Sequence, residues 1–374
     1  MSAAVNAAGV VVLAAGGTGG HMFPAEALAR ALLTRGRSVA LVTDSRGEAW
    51  GERLPEVPLH RIRAGRVSGN VLRRAVGAAE LALGTVQAGR HLRALSPAAV
   101  VGFGGYPSVP TMLAAARQRL PTVIHEQNAI LGRANRLLAG RARRIATSFA
   151  EVGGIRVADR ARVVETGNPV RPAVIALRGS QYLPPRPGEP FELLVLGGSQ
   201  GARILSAVLP AAFARLPDAL RRRLRLAQQA RPDDIEAVRA AHKANGIAAE
   251  VRAFFDDVPA RLARAHLVIA RSGASTVAEL AVMGRPAILV PFAAAADDHQ
   301  TANARALAAA GAAWLVPETA FTPTTFADRL AALMEAPDTL REAAAKAFQL
   351  ARPDAAERLA DLVIASAGSR EGAP

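Results

Sequence analysis

Residues Val10 to His21 read VVVLAAGGTGGH, and the rest of the chain is organised around that stretch. Val10, Val11, Val12 and Leu13 form a short apolar, β-branched run, the pattern of a parallel strand buried on both faces. The run breaks off at Gly16, Gly17, Thr18, Gly19 and Gly20. After His21, Pro24 opens a helical pattern through Ala25, Leu28, Ala29, Leu32 and Leu33, which Gly36 stops. A strand, a glycine loop and a helix in that order aim backbone N–H groups and the positive end of a helix dipole at one point. The expected guest is a phosphate or diphosphate; a tight turn that binds nothing is the other reading. The spacing is not the dinucleotide fingerprint G-x-G-x-x-G, and no Lys-Ser/Thr pair follows as in a P-loop.

The device recurs. Leu183 to Pro190, LPPRPGEP, breaks all periodicity and reads as a boundary. Directly after it come a buried strand at Leu193 to Leu196, a glycine loop at Gly197 to Ala202 and a helix at Ile204 to Phe213. A unit repeated in this way points to two similar nucleotide-binding-type domains facing one another.

Further strands are expected at Ser38–Thr43, Ala98–Phe103, Pro121–His125 and Arg144–Thr147 in the first half. In the second half they fall at Arg223–Ala227, Ala249–Phe254, Leu267–Ala270 and Ala287–Val290, and past Phe321 the pattern is helical. Strands alternating with helices imply parallel sheets covered on both faces, with functional residues directly after the strands. GFGGYP (102–107) and HEQN (125–128) stand there. So do Phe254-Phe255-Asp256-Asp257-Val258, read equally as a lid and main-chain contact for a planar base or as a strand end with a helix cap. Glu279 sits one turn into the helix that follows Arg271 to Thr276. It reads as an acceptor for two ribose hydroxyls or as a solvated glutamate. Asp297-Asp298-His299-Gln300 offers an amide for sugar hydroxyls.

The chain has 374 residues, 51% hydrophobic and 21% charged, enough for two domains with full cores. With no cysteine, disulfides and thiolate metal sites are excluded. The net charge of +15 suggests an anionic partner: nucleic acid, a phosphorylated substrate or membrane headgroups. Only Lys243 and Lys346 are lysines, so the excess is arginine, and 4% aromatics argue against binding single-stranded nucleic acid by stacking. No window offers 18 uncharged apolar residues, so no span is expected. Arg61, Arg63, Arg66, Arg73, Arg74, Arg90 and Arg93 interleave with Val67, Val71, Leu72, Val76, Leu81, Leu83 and Val86. This segment is either an ordinary helix with an arginine-rich solvent face or a face that lies in a membrane interface.

The motifs GGTGGH, GFGGYPS, HEQNA, TGNPVR, GGSQGA, RSGASTVAE and DDHQTANA, in this order and spacing, resemble the MurG family of N-acetylglucosaminyltransferases over nearly the whole chain. The resemblance implies an α/β fold of GT-B type, two Rossmann-like domains with parallel sheets facing across a cleft. It implies an acceptor and membrane-facing domain at 1–172, with a C-terminal helix at 350–374 packing back on it, and a UDP-sugar donor domain at 173–349. It further implies an inverting, UDP-N-acetylglucosamine-dependent hexosyltransferase of peptidoglycan biosynthesis. The acceptor would be a polyprenyl-diphosphate-linked muramoyl-pentapeptide, and the enzyme would sit peripherally on the cytoplasmic face of the inner membrane. No nucleic acid, cofactor or metal is expected. By the same resemblance, substrate contacts fall on Thr18, Gly19, Gly20, Asn128, Arg171, Ser199, Phe255, Ala274, Ser275, Thr276, Val277, Ala278, Glu279 and Gln300. The Ser199 loop would hold the leaving diphosphate, the Phe255 backbone the uracil, Glu279 the ribose, and Gln300 with Asn128 the N-acetylglucosamine. The first glycine loop would face the acceptor's diphosphate. For the basic, apolar segment, a lipid acceptor makes membrane docking the favoured reading. This chain departs from some relatives in carrying His299 before Gln300 and a bulky Phe255.

Inversion needs a proton acceptor for the attacking 4-hydroxyl. His21, at the end of the first glycine loop, is the first candidate and Glu126 the second; each has a structural reading as well. The competing functions are a diacylglycerol glycosyltransferase and a non-catalytic nucleotide-binding module. A nicotinamide-dependent dehydrogenase is disfavoured by the glycine spacing. A metalloprotease is excluded because Ala129 stands where the second histidine would be.

Overall fold

The computed structural model describes residues 9–16, 19–45, 47, 53–65, 70–198 and 201–368. The chain divides into two compact units, Met1–Val170 with Pro353–Pro374, and Arg171–Arg352.

In the first unit the described strands are β1 (Val11–Ala14), β2 (Val39–Thr43), β3 (Leu59–Arg61), β4 (Ala99–Gly102), β5 (Thr122–Glu126), β6 (Arg144–Thr147) and β7 (Val163–Glu165). They form one parallel sheet in the order β3-β2-β1-β4-β5-β6-β7. Every residue of β1 is buried, because helices cover both faces of the sheet. The Gly19–Thr34 and Ala355–Gly368 helices pack on one face through Leu28, Leu32, Leu359 and Val363. The Val71–Leu95 and Ser108–Arg117 helices pack on the other through Ala88, Leu92, Val109 and Met112. The C-terminal helix therefore belongs to this unit's core, tied to it also by an Arg35–Asp361 ion pair of 2.7 Å and by Arg358 donating to the Glu165 carbonyl at 2.9 Å.

The second unit holds β8 (Phe191–Leu196), β9 (Leu224–Gln229), β10 (Ala248–Arg252), β11 (Leu267–Ala270), β12 (Ala287–Leu289) and β13 (Ala313–Leu315), parallel in the order β10-β9-β8-β11-β12-β13. Phe191, Phe213, Phe326, Leu209 and Leu330 form its core.

Two features depart from the sequence expectation. The first helix starts at Gly19 rather than at Pro24, with the proline inside it. Pro24 forgoes only the bond that its N–H would give the Gly20 carbonyl, so the preceding turn survives. His21 consequently stands in the first helical turn and not on a loop. Second, β3, β7 and β13 carry no strand signal. Each is a three-residue edge strand, paired on one side and partly exposed, too short for alternation to register.

Candidate active site

Each sheet reverses its strand order once, between β1 and β4 in the first unit and between β8 and β11 in the second. Loops leaving two such strands diverge and open a crevice at the carboxyl edge, where ligands of open α/β sheets bind. Both glycine turns occupy these places.

In the first unit Gly19 and Gly20 begin the helix, while Thr18 lies outside the described residues. The His21 ring rests against Gly104 and Gly105 of the loop after β4, both at positive φ, 80° and 71°. A methyl group at Gly105 would stand 3.2 Å from His21 Cδ2 and Nε2, so the imidazole fits there only because that side chain is absent. His21 Nδ1 is 3.2 Å from Gln127 Oε1. Gln127 Nε2 in turn donates to the carbonyls of Phe103 and His125, each at 3.1 Å, and lies 3.0 Å from His125 Nδ1. His125 is fully buried, with Nε2 3.1 Å from the Gly167 carbonyl, and burial pushes its pKa down to about 4.

Glu126 has a different environment. Its carboxylate, 2% exposed, accepts from Asn128 N at 3.0 Å, Asn128 Nδ2 at 3.2 Å, Gly132 N at 2.8 Å and Asn135 Nδ2 at 2.8 Å. Four donors on two oxygens occupy the lone-pair directions that a base needs. The residue clamps the 127–135 loop, and Asn128 is part of that clamp. Gln127 was expected only as part of the HEQN stretch, with no role of its own, and Asn135 was not expected at all. Their only sequence signal is proximity to the end of β5.

In the second unit the Gly197–Ala202 turn leads into the Arg203–Ala214 helix; Ser199 lies outside the described residues. Gly201 has φ +68°, and a Cβ there would come within 2.6 Å of Arg231 Cγ. After β11, Gly273 caps the Ala274–Met283 helix without any side-chain acceptor. The leading amides at Ala274, Ser275 and Thr276 thus carry no side-chain cap, the arrangement that suits a diphosphate. The Ser275 hydroxyl is buried without a partner among the described residues. Val277 is buried in the core, with Ala278 on the half-exposed side. Glu279 is 6% exposed, and the Arg171 guanidinium holds both its oxygens, at 2.6 and 2.7 Å.

The Phe255 ring is 2% exposed beneath the Arg261 guanidinium, 4.1 Å from its centroid, so it forms no lid; Phe254 is the exposed ring. Gln300 Oε1 accepts from Phe292 N at 3.0 Å, which turns Nε2 to the opposite side. Its main chain is held by Ser272 Oγ at 2.8 Å, and Arg271 binds the Val290 and Pro291 carbonyls at 3.0 Å each. Just before it, Asp297 and Asp298 both have positive φ, 53° and 52°, strain of the kind that clusters at ligand sites. His299 Nδ1 donates to the Ala296 carbonyl at 2.7 Å.

Residues 11–147 match the glycosyltransferase family 28 N-terminal domain and residues 192–359 the family 28 C-terminal domain, so the two units are the halves of a glycosyltransferase of that class. The "UDP-N-acetylglucosamine--N-acetylmuramyl-(pentapeptide) pyrophosphoryl-undecaprenol N-acetylglucosamine transferase" of Rhodospirillum centenum is 58% identical over 97% of this chain and 96% of its own. The protein of that name from Paramagnetospirillum magneticum is 57% identical over 97% and 98%. Among solved structures, MurG of Acinetobacter baumannii superposes with a TM-score of 0.77 at 31% identity, covering 95% of this chain and 99% of that one. The chain belongs to the MurG family of glycosyltransferases. UDP-GlcNAc 2-epimerase of Neisseria meningitidis shares the fold alone, with a TM-score of 0.66 at 12% identity over 95% of this chain and 100% of that one.

Proposed function

We propose that the chain transfers N-acetylglucosamine from UDP-N-acetylglucosamine to the 4-hydroxyl of undecaprenyl-diphosphoryl-N-acetylmuramoyl-pentapeptide, with inversion, in peptidoglycan synthesis. The observation that carries this reading is 58% identity, over 97% of the chain, to a transferase named for that donor and acceptor. The acceptor oxygen attacks the anomeric carbon, the bond to the diphosphate breaks, and the hydroxyl proton passes to His21. The uncapped helix starts at Gly197–Ala202 and Gly273–Thr276 take the charge of the departing UDP, with Ser199 in the first of them. Glu279 receives the ribose. Each of its oxygens keeps one acceptor direction after the Arg171 fork is satisfied. The Phe255 main chain is assigned to uracil, Gln300 Nε2 and Asn128 to sugar hydroxyls, and Thr18, Gly19 and Gly20 to the acceptor diphosphate. His21 is favoured over Glu126 as base because the carboxylate already accepts four hydrogen bonds.

The lipid acceptor places the enzyme peripherally on the cytoplasmic face of the membrane. Supporting this, the Val71–Leu95 helix buries Gly77, Gly84, Ala88 and Leu92 on one side and exposes Leu72, Val76, Leu83 and Val86 on the other, between 50% and 73%. Arg73, Arg74 and Arg90 are exposed on the same helix, Arg90 on the side of the stripe and Arg73 about a quarter turn from it, so cationic groups accompany the apolar face. No helix among the described residues is long and apolar enough to cross a membrane. Radiolabelled donor offered to the muramoyl-pentapeptide lipid and to diacylglycerol tests the assignment. Transfer to the first alone is expected; transfer to diacylglycerol, or to neither, overturns it.

A further inference from the structure

We propose that Gln127 and His125 are positioning residues that lock His21 in the tautomer with its proton on Nδ1, which makes Nε2 the atom that receives the acceptor's proton. This rests on the reading of His21 as the base.

Two kinds of group on the chain cannot change roles, and they fix all the others. A carbonyl oxygen only accepts, so His125 Nε2, 3.1 Å from the Gly167 carbonyl, carries the proton of that ring. His125 Nδ1 is then the lone-pair nitrogen and accepts from Gln127 Nε2 at 3.0 Å. The Phe103 and His125 carbonyls, both 3.1 Å from the same Gln127 nitrogen, share its two hydrogens with His125 Nδ1 and demand a donor there independently. Gln127 therefore cannot turn its amide over, and its oxygen is the atom that faces His21 Nδ1 at 3.2 Å. An oxygen in that place accepts, so Nδ1 bears hydrogen and the His21 lone pair is on Nε2. The two groups behind His21 carry no charge near neutral pH, Gln127 being an amide and His125 an imidazole whose pKa burial lowers to about 4. Gln127 is 2% exposed and His125 fully buried, so both are held by packing as well as by hydrogen bonds.

A neutral amide in this position has a chemical consequence that a carboxylate would not. It orients the imidazole through a neutral hydrogen bond and brings none of the charge attraction by which a carboxylate would hold the imidazolium. Gly104 and Gly105 complete the arrangement by admitting the ring edge that carries Nε2.

The experiment uses the full chain labelled with ¹⁵N-histidine, whose ring nitrogens report tautomer directly, together with pH profiles of kcat. In the wild type, His21 is expected with its proton on Nδ1 and His125 with its proton on Nε2. Gln127→Leu should release His21 into a mixture of tautomers and lower kcat about 10- to 100-fold with the donor KM unchanged. In a His21→Ala background the same substitution should cost nothing further. Gln127→Glu should move the acid limb of kcat upward by about 1 to 3 pH units, because a carboxylate holds the imidazolium. A wild-type His21 protonated on Nε2, or a tautomer indifferent to Gln127→Leu, overturns the proposal. Should Gln127→Leu not fold, the wild-type tautomer and the Gln127→Glu profile still decide. Normal turnover in His21→Ala removes the base reading. An inactive His21→Ala beside a Gln127→Leu enzyme with wild-type kcat and acid limb removes the relay alone.

Discussion

Arg171 and Glu279 are joined by two parallel hydrogen bonds of 2.6 and 2.7 Å, although 108 residues separate them in sequence. The pair lies within the second unit, with the guanidinium side chain 22% and the carboxylate side chain 8% exposed. Arg171 directly precedes the Pro172–Ala176 helix, and Glu279 is in the second turn of the Ala274–Met283 helix. The fork fixes the carboxylate rotamer and balances its charge, so the group proposed to accept from the ribose is set before a donor arrives. Arg171→Leu should destabilise the protein by about 3 kcal/mol, since it strands a buried carboxylate, and should raise the UDP-N-acetylglucosamine KM. Arg171→Leu with Glu279→Leu should recover part of the stability but none of the donor affinity. Denaturant titration and donor kinetics read the two effects separately.

His21→Ala is expected to lower kcat by about 100- to 10,000-fold with little change in UDP affinity. Glu126→Gln should act differently, because an amide NH2 would face the N–H donors of Gly132 and Asn135. Its loss should register as a lower unfolding midpoint and looser hydrogen exchange across residues 127–135, with the acid limb of kcat unmoved. A Glu126→Gln enzyme of normal stability and a displaced acid limb would return the base role to the carboxylate.

Burial pushes both His125 and His242 down to about 4 from 6.5. The unfolded chain therefore takes up these protons first as pH falls. Stability from these two groups is complete above pH 6.5, declines from there to about pH 4, and is level below, by roughly 3 kcal/mol per histidine. Urea unfolding across that range should show the slope. His242→Phe, which removes the bond to Gln228 at 2.8 Å, should lower stability above pH 6.5 and flatten the slope below it.

Vesicle sedimentation tests the exposed stripe of the Val71–Leu95 helix. Arg73, Arg74 and Arg90 changed together to glutamate should release the protein from anionic vesicles and abolish the salt dependence of binding. Leu72→Ser with Val76→Ser should weaken binding at every salt concentration and leave the thermal midpoint within about 1 °C, since both side chains already face solvent. Unchanged binding in either variant rejects this face as the docking surface.

Transfer should persist in chelator if, as proposed, the helix starts after Ala202 and Gly273 supply the positive potential at the leaving diphosphate. Activity lost to chelator and restored by magnesium or manganese would refute this.

The sequence by itself determined the two-unit parallel architecture and the location of both glycine turns. Those are local matters: a buried parallel strand is an unbroken apolar run, as at Val11–Ala14 and Leu267–Ala270, and a sharp turn into a helix needs glycine. The start of the first helix escaped because Pro24 looks like a first residue, and only the intact preceding turn shows otherwise. Tertiary structure alone decided the partners of the polar residues. Glu126 ends a strand and His21 stands shortly after one, and from sequence both read as bases. One is saturated by donors at Asn128, Gly132 and Asn135, and the other is oriented by Gln127, partners that the fold brings together from separate stretches of chain. Likewise nothing local pairs Arg171 with Glu279 or distinguishes the buried Phe255 from the exposed Phe254. Apolar periodicity is written in neighbouring residues, whereas the state of a titratable or hydrogen-bonding group depends on which distant atoms occupy its lone pairs.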